Sequence, residues 1–211
     1  MPRILGAVVI ALAMVWSSES LSAIRKKTEQ KSAAKRSPEA LAAAALESGL
    51  QHLARAEKLE TAGHKGARKA YESALKDFHT AAKHAPQNYR AHNGIGYSYR
   101  RLGNYARALE SYDRALELAP NFSDAIEYRA EAYLALNRLD LVKQAYMQLF
   151  VADRAASAAL MKAMKSWLEK RPPQSATIDA ATLSAFDTWV RERDALASSV
   201  VNLGHNSPDW K

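Results

Sequence analysis

The sequence predicts an all-α fold, a short α-solenoid of about three helical hairpins with C-terminal capping helices. Three observations carry this expectation. A 34-residue pattern of small and aromatic residues recurs through the middle of the chain. Hydrophobic residues make up 48% of the 211 and fall on helical stripes. Only 8 Gly and 7 Pro interrupt them, which excludes collagen-like and low-complexity material.

The N-terminus comes first. Met1-Pro2-Arg3 precedes an apolar run from Ile4 to Trp16, then a polar stretch ending at Ala23. A basic start, an apolar core and a small residue at the end are the three parts of a secretory signal, here residues 1–23. Cleavage is expected after Ala23, with Ser20 the second choice. Thirteen residues rise about 20 Å as a helix, short of the ~30 Å hydrocarbon core, so an uncleaved membrane anchor is the alternative. Residues 24–37 are charged and aperiodic, and read as a basic flexible linker. The expected location is exported, periplasmic or secreted, and the chain has no cysteine, which is compatible with that.

Residues 38–62 read as one long helix. Ser37 is placed to cap it, Pro38 takes the first position and Glu39 the first turn. Gly63-His64-Lys65-Gly66 is the turn, and residues 66–84 form the returning helix of a first hairpin, 38–88. Its helices are longer than those that follow, so extra turns should project from one side.

The clearest unit is residues 89–122, YRAHNGIGYSYRRLGNYARALESYDRALELAPNF. Gly96, Ala108 and Ala115 are small enough for helices to approach closely, while Tyr99 and Tyr112 fill the gaps. Leu102-Gly103-Asn104 makes the turn, and Pro120 stops the second helix. The stretch resembles a tetratricopeptide repeat, with His92 where that repeat often has Trp. Residues 123–153 repeat the pattern with losses. Ala130, Tyr133 and Tyr146 match, but Val142 and Leu149 replace the two alanines and Arg154 the proline. Upstream, Ala74, Phe78, Ala81 and Pro86 fit the same register.

Residues 154–197 supply the capping and C-terminal helices. Ala156, Leu160, Met164 and Trp167 share one helical stripe, which suits a lid on the open end of the stack. Thr177 to Ala197 reads as a second amphipathic helix, folded back on the repeats or docked on a partner. Residues 198–211 read as a tail.

The chemistry is sparse. Six histidines show no metal-ligand spacing, no Gly-rich phosphate loop follows a strand, and there is no nucleophile elbow. The expectation is a protein that is not an enzyme and takes no cofactor or metal. Nucleic acid is not an expected partner. The net charge of +8 is uneven: residues 24–88 hold 13 basic and 7 acidic groups. That supports an alternative, a polyanion- or anionic-membrane-binding protein working through its basic N-terminal third, with Arg25–Arg36 against the membrane. Oligomeric state is not legible in one sequence.

The resemblance implies a binding groove, because the first helix of each such hairpin lines a concave face. One wall would present Arg90, Asn93, Tyr97, Arg100 and Arg101. The facing wall would present Asp124, Glu127, Tyr128 and Glu131. Arg100 and Arg101 either contact a ligand carboxylate or pair internally with Glu127 or Glu131. Tyr97 and Tyr128 lie outside the packing signature and offer rigid contact area. Glu127 and Glu131 intrude where a chaperone-tail carboxylate clamp is basic or amide-bearing, so that ligand is not expected. The expected partner is a protein or peptide of the cell envelope.

Overall fold

The computed structural model describes residues 20, 22–27, 37–170 and 178–205. Most of the signal segment, linker residues 28–36, the Arg171-Pro172-Pro173 stop and the last six residues lie outside them. Residues 22–27 are helical. Eight longer helices follow: α1 Pro38–Thr61, α2 Ala67–His84, α3 Tyr89–Arg101, α4 Tyr105–Leu118, α5 Ser123–Ala135, α6 Leu139–Ala152, α7 Arg154–Lys170 and α8 Ala180–His205. They stack as three hairpins, α1–α2, α3–α4 and α5–α6, with α7 and α8 at the C-terminal end. The described residues contain no strand. The all-α solenoid follows from the sequence as expected.

Local signals explain the boundaries. The Ser37 hydroxyl accepts from the amide of Ala40 at 3.2 Å, and Pro38 costs nothing there because a first-turn amide has no helical partner. Asn88 caps α3 by accepting from Arg90 and Ala91, and Asn104 caps α4 by accepting from Arg107. In the third hairpin neither Phe122 nor Arg138 caps with its side chain, the local cost of a less regular unit. Each hairpin turns on a residue with positive φ: Gly63 at 65°, Gly103 at 84° and Asn137 at 60°. Asn is the residue that best tolerates the place of Gly in that region.

Packing follows the small-to-large pattern. The Phe78 ring is fully buried and wedges between Gly49 of α1 and Gly94 of α3. A Cβ on either glycine would stand 2.7 Å from it, closer than real side chains approach. Tyr112 plays the same part against Gly96. Ala74, Ala81, Ala108 and Ala115 are all fully buried, and Val142 and Leu149 fill their places in the third hairpin. The unusual length of the first hairpin is real: α1 has 24 residues against 13 in α3 and α5.

The C-terminal end departs from expectation in one respect. The last helix begins at Ala180 and continues to His205, so residues 198–205 are helix and not tail. Ser198 and Ser199 return their hydroxyls to the carbonyls of Asp194 and Leu196 and so stay within the helix. Phe186 and Val190 anchor α8 in the core that α5, α6 and α7 share. Trp167 meets Phe186 edge-on at 5.8 Å, and Tyr146 meets Trp189 at 5.5 Å. Among the described residues no helix is long and apolar enough to cross a membrane.

Candidate functional site

The inner face of the stack is built by α1, α3, α5 and α7, the first member of each pair. Their register is fixed by side-chain contacts. Tyr97 donates to Glu57 at 2.6 Å, and Arg101 pairs with Glu60. Tyr97 meets Tyr128 edge-on at 4.9 Å, and Arg100 pairs with Glu131. Partners advance together along both helices in each case, so the three inner helices run parallel.

Arg100 is the centre of this floor. Its guanidinium lies 4.8 Å from the Tyr97 ring centroid and 5.4 Å from that of Tyr128. Only 10% of its side chain is exposed, against 24% for Glu131. Burial works against its charge, but Glu131, Tyr112 and Tyr97 outweigh that and hold it protonated. The same burial raises the phenols: Tyr97 and Tyr112 lie well above the usual range, and Tyr128 is pushed up to about 12. All three remain neutral hydrogen-bonding groups at physiological pH.

Two expectations therefore change. Arg100 and Arg101 do not form a free cationic wall; Arg100 is spent on Glu131 of the following inner helix, α5, and Arg101 on Glu60 of the preceding one, α1. The sequence alternative of internal pairing holds for Arg100 with Glu131, while Glu60 was not foreseen. Tyr97 and Tyr128 are half-buried like Tyr99 and Tyr133, because they pack on each other across the joint between hairpins. Arg90 is exposed at the start of α3, its guanidinium against the Tyr89 ring.

The remaining candidates lie one turn nearer the N-terminal ends. Asn93 Oδ1 is shielded from water and accepts no hydrogen bond. Asp124 is exposed and Glu127 half-buried, and neither carboxylate has an ion-pair or hydrogen-bond partner among the described residues. Burial, then the neighbouring Glu131 and Asp124 charges, push the Glu127 carboxyl up to about 7. It holds its proton far more readily than an ordinary glutamate.

At the C-terminal ends of the same helices the face opens into a cavity of about 730 Å³. Glu60, Arg100, Arg101 and Glu131 form its floor, and Leu134, Ala163, Ser166, Trp167 and Lys170 continue it onto α7. Sequence reasoning missed this fourth wall. It read the α7 stripe only as a lid, yet Trp167 and its neighbours one turn away also face the groove.

A stack of helical hairpins with a polar, aromatic concave face and an open cavity across four parallel helices defines a helical-repeat module. The family model of the tetratricopeptide repeat matches residues 89–122, the α3–α4 hairpin, so the chain carries such a repeat. Bovine (Bos taurus) peptidyl-prolyl cis-trans isomerase FKBP4 is 32% identical over 94 residues, 43% of this chain and 20% of that protein's length. Among solved structures, the first such domain of Spaghetti (RPAP3), bound to the HSP90 peptide SRMEEVD, has a TM-score of 0.44 at 20% identity. It covers 57% of this chain and 93% of that one. The TPR2B domain of yeast Sti1 in its Hsp70 complex has a TM-score of 0.44 at 18% identity, over 59% and 99%. What those domains bind is a property of those domains.

Proposed function

We propose that this protein is a non-catalytic scaffold or adaptor that holds a peptide or protein segment in its concave groove. The observation that carries the reading is the 730 Å³ cavity crossing α1, α3, α5 and α7, with charged, aromatic and apolar lining in one continuous surface. Its size and mixture suit a few residues of extended chain. Arg100, Arg101 and Tyr97 are already bonded across the joints, and a surface organised in this way loses less entropy on binding. A chaperone-type acidic tail is not the expected occupant, since the arginines that would clamp it are neutralised by Glu60 and Glu131. We also propose export to the periplasm or beyond, on the signal-like residues 1–23, and hence an envelope partner.

The test fills the cavity without touching the core. Panning a displayed random-peptide library on the full chain should enrich binders that Ser166→Arg loses. Glu110→Arg, on the exposed outer face of α4, should keep them. Equal retention by both variants would end the groove reading. Binding that survives Ser166→Arg but collapses with salt would favour the basic N-terminal third instead. Intact mass after cell fractionation tests export: loss of residues 1–23 from a periplasmic or secreted form is expected, and a full-length chain in the membrane pellet would overturn it.

A further inference from the structure

We propose that residues 206–211 of this chain fold back on the stack and seat the Trp210 ring in a cleft between α6, α7 and α8. The cleft encloses about 400 Å³ and shares no lining residue with the groove cavity. Tyr146 and Phe150 of α6, Ala158 and Met161 of α7 and Ala197 of α8 line it. An aromatic and apolar hollow gains free energy when an apolar group covers it, and an indole ring is the largest such group a chain carries.

The path of α8 brings the segment within reach. Trp167 meets Phe186, and Lys165 pairs with Asp194, so α8 runs antiparallel to α7. By Ser198 it has come level with Ser157, one turn from the start of α7, since both line the cleft. From Ser198 to His205 the helix rises about 10 Å further, and so runs past the first turn of α7. The next residues are Asn206-Ser207-Pro208-Asp209-Trp210-Lys211. Proline cannot continue the helix and drives the preceding serine out of the helical region, while Asn and Ser favour a turn. The stretch from Asn206 to Trp210 spans up to about 17 Å when extended, enough to cover the 10 Å back to the cleft.

The lining matches the segment in chemistry. Arg154 stands at the cleft with its guanidinium 3.6 Å from the Phe150 ring centroid, exposed and without a carboxylate partner among the described residues. Asp209 precedes the tryptophan and supplies that carboxylate. A buried indole N–H needs an acceptor. Asp194 lines the cleft and gives Oδ2 to Lys165, so Oδ1 can accept. The Met161 thioether adds a soft contact of the kind aromatic rings favour. Docked this way, the segment clasps the end of α8 to the α6–α7 corner.

The experiment labels the full chain with 5-fluorotryptophan, and Trp210→Phe identifies the Trp210 fluorine resonance by its loss. In wild type a soluble paramagnetic agent should relax that resonance several-fold less than it does after unfolding in urea. Ala158→Arg fills the cleft from an exposed position and should restore full relaxation, while the Trp167 and Trp189 resonances stay in place. If Ala158→Arg moves those two resonances, Overhauser contacts from Trp210 to Phe150 and Met161 in wild type decide instead; they should be present, and their absence overturns the docking. Trp210 as exposed in wild type as in urea, or equally shielded in Ala158→Arg, also overturns it and leaves the cleft to a separate partner. Shielding that disappears on dilution overturns it in favour of exchange between two copies of the chain.

Discussion

Changing Arg100 to methionine asks whether the floor of the groove is structural or waits for a ligand. Methionine keeps most of the aliphatic stem, so the loss is the charge and its bonds. Removing one member of a buried ion pair costs about 3–5 kcal/mol, because its partner is left uncompensated. Glu131 retains 24% exposure and can turn toward water, which pulls the value to the low end. The guanidinium also lies against two rings, at 4.8 and 5.4 Å, and such contacts contribute about 0.5–2 kcal/mol when desolvated. A loss of about 3 kcal/mol is expected, and at roughly 2–4 °C per kcal/mol for a domain of this size the melting point should fall by about 6–12 °C. Far-UV circular dichroism during heating measures it. Adding Glu131→Gln should return about a third of the loss, since the unpaired carboxylate is gone, and a double-mutant cycle extracts that coupling. If Arg100→Met melts within a degree or two of wild type, or Glu131→Gln recovers nothing, the pair is not a structural tie and Arg100 is free for a ligand.

Three further outcomes follow from the same structure. Gly96→Ala would add about 1 kcal/mol of helix propensity on an open surface, but here its Cβ meets the buried Tyr112 ring at 2.7 Å. Overpacking of about 1–3 kcal/mol should win, and a net gain in denaturant midpoint would contradict the packing. Glu127→Gln should stabilise the protein at pH 8 and not at pH 4.5. A carboxyl with its folded pKa raised to about 7 costs stability that grows as pH rises from its ordinary 4.5, so the gap between variant and wild type opens across that window. That side chain is only partly buried, which reduces the gain to about 1–2 kcal/mol, and a flat difference from pH 4.5 to 8 would refute it. Phe186→Ala removes a fully buried anchor of α8, and hydrogen exchange should show α8 opening while α3 and α4 stay protected. Unchanged protection in α8 would mean that Phe186 does not hold it.

The fold was legible because its packing rule is written in residue size. Gly96, Ala108, Tyr112 and Ala115 announce a close-packed hairpin, and Pro120 and Gly103 mark where it bends. The groove was legible only as a set of positions. Helical spacing says that Arg100 and Glu131 share an inner face, but whether they meet each other or a ligand depends on the offset between α3 and α5, which no local pattern encodes. Glu60 was missed for a related reason: the turn of the first hairpin sits out of register with the others, so the residue facing Arg101 cannot be found by counting 34 back. Trp167 was legible as apolar, yet an apolar residue on a capping helix can face the core, the groove or both. The extension of α8 past Ala197 hid behind Ser198 and Ser199, which read as loop-formers until their hydroxyls are seen bonded along the helix.

The paired residues along the inner face also set how the molecule deforms. Hairpin stacks usually flex as springs, opening and closing their curvature as neighbouring units slide. Here the first three inner helices are riveted by Glu57–Tyr97, Glu60–Arg101 and Arg100–Glu131, so the concave side resists both stretching and coiling. The joint between α5 and α7 is tied differently, by a buried apolar core that Ile126, Ala130 and Leu134 share with Leu160 and Met164. The groove thus joins two kinds of seam: three inner helices fastened to one another by directional polar bonds, and a fourth, carrying Trp167, seated by apolar contact in a shared core.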